Sequence, residues 1–371
     1  MSAFTFSLAS LLLITLSLSG LRAQSATFYF VDIGHGNVTF VVSPSGETML
    51  LDCGGPPQTV NRIARFVEQN NIKKIDYMVI SHFENDHMGA AAELSKRIPI
   101  HHWVDHGESV TYNKSDEWWK LRRGPWARAG MGLQDNANFD RYKAARSTGK
   151  HIVVKAGDKV PVKGLDVVVV TAEGEPIAKP LPGAGQPNPA CANTPVLAED
   201  DAEDGQSVGV VAGLGKFKFA YLGDLSWQPS RRLFCPENKV GNVDAYLVTH
   251  HAQVMTSELG DYYAGLSCCS AAEVKGLNPR VAFVSMGSQG HKFGTGDAMK
   301  RVMEVVGNDL WQTEKIVGGG EAGLNGPDDQ LANIGGPPQE KVPYIKMEAR
   351  ADGSFQVTNS RNGFSKSYPA R

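Results

Sequence analysis

Two histidines and two carboxylates fall within six residues of one another in "SHFENDHMG": His82, Glu84, Asp86 and His87. Neutral imidazoles and carboxylates are the usual protein ligands of Zn, Mn and Fe. Held this close without a cation, two carboxylates repel each other and one must take up a proton. Positions 82, 84 and 86 share a parity, so an extended chain points their side chains one way. His87, opening a helix, then turns a second imidazole back toward them. Taken by itself the cluster also reads as a hydrogen-bonded surface turn.

Two later stretches end apolar runs in similar residues. "FAYLGDLS" places Asp224 after a strand-like run and a glycine, and "AYLVTHHA" ends another run in His250-His251. Groups at strand termini are well suited to chemistry because a packed sheet fixes their geometry. Asp224 alone also reads as a turn residue. His35 in "DIGHGN" is a loop residue near the same cleft, and Asp32 and Asp52 either accept hydrogen bonds from ligating imidazoles or close turns. Asp105 and His106 end a strand on the same side, with packing an equal reading, while His101 and His102 read as structural. His291 with Lys292 in "GSQGHKFG" either meets an anionic substrate or forms a solvated turn.

The elements that must position these groups alternate. "ATFYFVDIG", "VTFVVSP" and "TMLLDCGG" are short β-rich runs separated by turn residues. "QTVNRIARFVEQNN" carries Val60, Ile63, Phe66 and Val67 at helical spacing. The strand "KIDYMVIS" leads into the motif, a helix is expected from about Gly89 to Lys96, and "IHHWVDHG" is a further strand. Residues 108–150, with "SDEWWKLRRGPWARAG", change character to aromatic and charged. They read as an insertion, either a lid over a cleft or a surface helix pair whose tryptophans pack down. Residues 173–206 form a Pro/Gly-rich, acidic loop, followed by the hairpin "SVGVVAGLGKFKFAYLGD" and two further strands before the helix "GTGDAMKRVMEVVG". No repeat of fixed period is present, and the alternation gives a mixed α/β domain with helices covering sheets.

The chain has 371 residues and a 42% apolar fraction, enough for one large domain or two modest ones. No Lys/Arg run stands out, which argues against a dedicated nucleic-acid or membrane-surface binder. Residues 1–23 contain the apolar "FTFSLASLLLITLSLSG" and then "LRAQSA", and read as a secretory signal peptide cleaved near Ala23. An uncleaved anchor is the alternative, since no Lys or Arg precedes the apolar core. These residues hold one Arg and no acid, so removing that positive charge takes the net charge from −2 to −3. The expected location is secreted or periplasmic. Five cysteines suit an oxidising compartment: Cys191 and Cys235 flank a strand pair in positions that allow a bridge, Cys53 reads as buried, and the adjacent Cys268 and Cys269 read as packing residues or one of them as a bridge partner, the pairing not being set by sequence.

The order of the motifs resembles the metallo-β-lactamase fold superfamily of metal-dependent hydrolases. The family pattern is His-x-His-x-Asp-His after a strand, a later His, an Asp that bridges two metals, and a final His; here it reads His82, Glu84, Asp86, His87, Asp224 and the His250-His251 pair. "VDIGHGNVTFVV" and "LLDCGG" are similar to the start of the branch that contains the metallo-hydrolase domain of DNA-uptake competence proteins, in which an acidic residue replaces the second His. The resemblance covers roughly residues 27–300. It implies an α/β fold, a four-layer αββα sandwich of the metallo-β-lactamase type, over residues 24–371.

The resemblance also implies one or two divalent metals, zinc first, with Mn or Fe favoured by the extra oxygen that Glu84 brings. The fuller position is Asp86, His87, Asp224 and His251. The other holds His82 and Glu84, but its intermediate His is missing, since no histidine lies between His151 and His250. Glu203 or Asp204 is placed to substitute, Asp204 being taken as the ligand; otherwise that metal is weakly held or absent. Asp86 further orients the attacking water. One of the histidine pair ligates and the other meets substrate, taken as His251 and His250 respectively, with His35 as a third catalytic candidate. The function implied is an exported metal-dependent hydrolase acting on a phosphodiester or related ester. A lactam or lactone hydrolase is the alternative, and a non-catalytic metal-bound domain that binds a polymer through its tryptophans is a third reading. The expected partner is a small-molecule or phosphodiester substrate, with no stable nucleic-acid partner and no membrane association after signal removal.

Overall fold

In "ATFYFV" every second residue faces the same way, and the strand Ser25–Val31 uses both faces. Phe28 and Phe30 point to a second sheet, where Phe28 lies 5.0 Å from Phe219 and Phe30 stacks on Phe283 at 3.8 Å. Tyr29, on the opposite face, meets Phe66 of the helix Gln58–Gln69. The structure, a computed structural model, describes residues 25–55, 58–124, 127–255, 260–287, 296–317, 324–335 and 340–371. The proposed signal and the His291-Lys292 loop lie outside these residues.

Among the described residues two sheets of nine strands each build the fold, beside a two-stranded pair, Gln186–Pro187 with Glu237–Asn238. The first runs in the order Ser365–Tyr368, Phe355–Asn359, Tyr344–Arg350, Ser25–Val31, Thr39–Val42, Thr48–Leu51, Ile75–Val79, Ile100–Asp105 and Lys150–Val153. Its pairs are antiparallel as far as Thr48–Leu51 and parallel beyond. The second repeats the plan: Asp166–Ala172, Gly209–Leu214 and Phe217–Tyr221 pair antiparallel, then Ala245–Leu247, Val281–Val284, Leu310–Glu314 and Leu331–Asn333 continue in parallel. The parallel strands Thr48–Leu51, Ile75–Val79 and Ala245–Leu247 are buried on both faces, as their mainly apolar sequences allow, and the one carboxylate among them, Asp76, accepts from Thr48 N at 3.0 Å.

Three cores follow from this layering. One lies between the sheets, where each buried Phe is worth roughly 1.5–3 kcal/mol. A second packs the helices Gln58–Gln69 and Met131–Arg146 on the outer face of the first sheet. The third packs Trp227–Phe234, Ala271–Leu277 and Gly296–Val306 on the second. The architecture is therefore the expected four-layer αββα sandwich. Among the described residues no helix is long and apolar enough to cross a membrane.

Residues 108–150 contain the helices Asp116–Arg123 and Met131–Arg146. Met131–Arg146 packs down, burying Phe139 and Tyr142 against Phe83 and Trp103. Asp116–Arg123 is a shorter helix whose Trp119 is buried while Leu121 is exposed. Ser115 Oγ caps it by accepting from Trp118 N at 3.2 Å, acidic residues open it and basic residues close it, each matching the helix dipole. After the motif, the expected helix from Gly89 is instead two single turns, Asn85–Met88 and Ala91–Leu94, broken at the poor helix former Gly89. The Cys191–Cys235 disulfide forms, and Cys53, Cys268 and Cys269 are buried thiols.

Candidate metal centre

The parallel strands of both sheets deliver their C-terminal ends to one cleft. From the first sheet come Asp52 and the Ser81–His87 motif, and from the second come Asp224, the His250-His251 turn and Ser285. Ligand sites at the carboxyl ends of parallel strands follow the general rule for open α/β sheets. Gly223, at φ +59, allows the two sheets' turns to approach, because a Cβ there would lie 2.6 Å from Ser81 Cβ.

Asp52 is the anchor beneath the motif. Its fully buried carboxylate accepts from Ser81 N at 2.7 Å, Ser81 Oγ at 2.9 Å, His87 Nδ1 at 2.5 Å and Tyr221 Oη. With Nδ1 so engaged, His87 turns Nε2 toward Asp224 at 3.2 Å and toward His251 Nε2 at 3.2 Å. His251 is aimed in the same manner, its Nδ1 lying 2.6 Å from the Ser285 carbonyl and its Nε2 3.5 Å from Asp86. Asp86, His87, Asp224 and His251 thus converge, with the half-exposed His35 on the rim, 3.0 Å from Asp86.

A second group adjoins it. His82 Nε2 lies 3.5 Å from Asp204 Oδ1, and His250 Nε2 lies 3.7 Å from Asp204 and 3.5 Å from Asp224. Glu84 borders this group and is ion-paired to Arg123 of the insertion. Asp224 belongs to both groups. His82 Nε2 and Asp204 Oδ1 are buried and have no hydrogen-bond partner among the described residues. Buried polar atoms without partners are costly, and an imidazole lone pair facing a carboxylate oxygen is a donor set that fits a divalent cation.

The electrostatics of the bare side chains agree with that fit. Burial, with the charge on His87 adding to it, pushes His82 down to about 3, so it is neutral and ready to ligate. Burial opposes charge on His87 as well, but Asp224, Asp52 and Asp86 outweigh it and raise its pKa well above the ordinary value. Burial lifts Asp204 to about 7; Arg123 opposes this, while Asp224 and Asp86 add to it.

The structure departs from the sequence expectations at several residues. Asp86 lies in a helical turn, so the extended-chain parity that grouped it with His82 and Glu84 does not apply, and it faces the other group. The adjacent histidines separate between the groups because His250, His251 and Ala252 all have positive φ, at 50°, 50° and 61°. His250 therefore lies, buried, beside Asp204 and Asp224. Glu203 is committed elsewhere: it accepts from Phe83 N at 3.1 Å, Ser109 Oγ at 2.7 Å and Val110 N at 2.8 Å, tying the insertion to the motif. Among the described residues Asp32 touches no imidazole; it accepts from Gly34 N at 3.0 Å and Asn333 Nδ2 at 3.0 Å and pairs with Arg62 at 3.5 Å. Asp105 is a packing residue bound by Tyr142, Arg146 and His151. Sequence reasoning missed Tyr221, Ser285 and Arg123, which reach the site from distant segments and carry no local signal.

A family model described as "Metallo-beta-lactamase superfamily" matches residues 31–197. The match includes His35 and the His82–His87 motif and stops before Asp204, Asp224 and His250-His251. A search of curated proteins found no match. Among solved structures, the metallo-β-lactamase fold protein YhfI from Bacillus subtilis is similar, at 11% identity over 78% of this chain and 96% of that one, with a TM-score of 0.41. CmlA, a diiron β-hydroxylase from Streptomyces venezuelae, is similar at 13% identity over 71% of this chain and 45% of that one, with a TM-score of 0.40. A diphosphatase from the PhnP family is similar at 10% identity over 72% and 88% of the two chains, with a TM-score of 0.37. The family match lies over the strands of the first sheet from Thr39 to Val153 and over the His82–His87 motif, and it identifies residues 31–197 as a metallo-β-lactamase superfamily segment.

Proposed function

We propose that this chain is a metal-dependent hydrolase of a phosphodiester or related ester, and that it acts after export. The observation that supports hydrolysis is Asp224, whose Oδ2 lies 3.2 Å from His87, 3.5 Å from His250 and 3.6 Å from His251, a single oxygen between two donor groups. His82, Glu84, Asp204 and His250 would hold one divalent cation, and Asp86, His87 and His251 another. Zinc, or Mn or Fe, held there would acidify an attacking water and polarise the scissile group.

The chain's own side chains supply the rest. Asp52 and the Ser285 carbonyl accept from the Nδ1 atoms of His87 and His251, which leaves each Nε2 turned toward the cluster, where the proton that the carboxylates otherwise favour would give way to a cation. Asp86, beside His35 at the mouth, is placed to accept a hydrogen bond from the attacking water and so aim it. His35, half exposed, is suited to pass a proton to the leaving oxygen. His250, deep between Asp204 and Asp224, serves better as a donor to the cation than as a group that meets substrate.

The phosphodiester preference rests on the likeness of "VDIGHGNVTFVV" and "LLDCGG" to one branch of the superfamily, and export rests on the apolar segment before "LRAQSA". The test is turnover by the metal-loaded mature chain on phosphodiester, lactone and β-lactam substrates, beside Asp224→Ala. Phosphodiester cleavage lost in the variant is expected. Cleavage of the lactone or lactam alone would overturn the substrate, and turnover unaffected by Asp224→Ala would overturn the mechanism. A mature amino terminus near residue 24 is expected outside the cytoplasm; a full-length terminus recovered from soluble cytosol contradicts export.

A further inference from the structure

Glu84 is one of three groups, with His82 and Asp204, whose ligand atoms lie within 4.8 Å of one another. Its carboxylate is nevertheless engaged by Arg123 Nη2. Arg123 is the last residue of the Asp116–Arg123 helix, and the chain turns away at Gly124 with φ +49. That helix is fastened on both sides of the arginine. Trp119 is buried, and the Arg123 guanidinium lies 5.9 Å from its ring centre. Arg122 grips Asp201 through Nε and Nη2 at 2.6 and 2.5 Å and lies over the Tyr262 ring at 4.8 Å. Tyr263 Oη donates to the Leu121 carbonyl at 3.3 Å. Side chains of Arg123 and Glu84 are only 27% and 26% exposed, so the pair is partly withdrawn from solvent screening. The carboxylates of the neighbouring group, Asp86 and Asp224, face imidazoles instead.

A carboxylate that already serves a guanidinium is a poorer ligand, because two cations draw on the same lone pairs. A fixed positive charge beside a dication also repels it. We propose that Arg123 sets the metal affinity of the His82–Glu84–Asp204 position by competing for Glu84. The Asp86–His87–Asp224–His251 position then fills first, and its neighbour fills only at higher free metal. Arg123 acts here through Glu84 as a positioning residue, and the inference rests on the reading of the cluster as a metal site.

Competitive Zn and Mn titration against a fluorescent chelator, with total metal measured in parallel, tests it on the mature chain. The set is wild type, Arg123→Gln, Glu84→Gln and the double variant, with Arg123→Lys as a milder change that keeps the charge and stem. Arg123→Gln is expected to tighten the second equivalent by about tenfold or more and leave the first within about twofold. Arg123→Lys, lacking the planar fork, should tighten it by a few fold. In the Glu84→Gln background, removing Arg123 should change the second equivalent by less than about threefold, the part due to charge repulsion alone, since no carboxylate is left to compete for. Equal second-equivalent affinity in wild type and both Arg123 variants, or the same gain with and without Glu84, would overturn the competition alone. Absence of bound metal from every protein would overturn the metal-site reading and this inference with it.

Discussion

Replacing Asp52 by Asn changes one atom at the point where four hydrogen bonds converge. Oδ1 accepts from Ser81 N, while Oδ2 accepts from Ser81 Oγ, His87 Nδ1 and Tyr221 Oη. If the amide oxygen replaces Oδ2, the NH2 group faces the Ser81 N–H, and a buried donor is left unsatisfied at a cost of about 1–3 kcal/mol. If the amide is flipped, His87 must accept at Nδ1 and carry its proton on Nε2, the atom that faces Asp224 and His251. The metal-facing lone pair is then lost. Either way the three bonds to Oδ2 also lose their charged acceptor, so a total destabilisation of roughly 2–4 kcal/mol is expected. Loss of a group that orients a ligating histidine typically lowers metal affinity about 10–100-fold, or roughly 1.4–2.7 kcal/mol. Urea denaturation of the metal-free proteins measures the first effect, and chelator competition measures the second. Metal affinity within about twofold of wild type, together with an unchanged urea midpoint, would refute the argument that Asp52 fixes His87.

Asp135 in the insertion is pushed up to about 6 by burial, with Glu203 adding to it and the Thr111 hydrogen bond opposing. Its folded pKa lies above the ordinary 3.8, so its stabilising contribution is complete below that value and is lost as pH rises toward 6. Wild type should lose about 2 kcal/mol more than Asp135→Asn between about pH 4 and pH 7, after discounting for partial exposure; parallel pH dependences in denaturant titrations would contradict this. The Cys191–Cys235 bridge spans a sequence separation of 44, and loop-closure entropy puts its worth at about 4 kcal/mol. A double Cys→Ala variant with an unchanged denaturation midpoint would show that the loop is held without it.

The layered fold was legible because buried parallel strands are largely apolar runs, and "KIDYMVIS" and "TMLLDCGG" are such runs apart from Asp76 and Thr48, each followed by a polar residue, Ser81 and Asp52. His82, Asp86 and His87 were legible as a cluster for the same reason: they follow the end of one strand. The division of labour within the cluster was not. His250 and His251 part company through three successive left-handed residues, none of them glycine, and non-glycine types give no warning of such a turn. Asp52 could be suspected from its own position, but its weight comes from Tyr221, 169 residues away in sequence. The Glu84–Arg123 pair likewise joins the motif to an insertion whose charged helix, read locally, has an ordinary solvated face. Long-range pairings of this kind are set by how the two sheets and the insertion pack, which no local spacing encodes.

Metal content and turnover, followed on one preparation as a chelator is added and then displaced by Zn or Mn, test the central claim most directly. The account predicts at least one equivalent of transition metal in the purified chain, hydrolysis that falls as metal is withdrawn, and recovery when it is returned. Asp224→Ala, lacking the carboxylate common to both donor groups, should neither hold nor recover that activity. Less than about one-tenth of an equivalent after metal-supplemented growth, or hydrolysis that survives complete removal of metal, would contradict it.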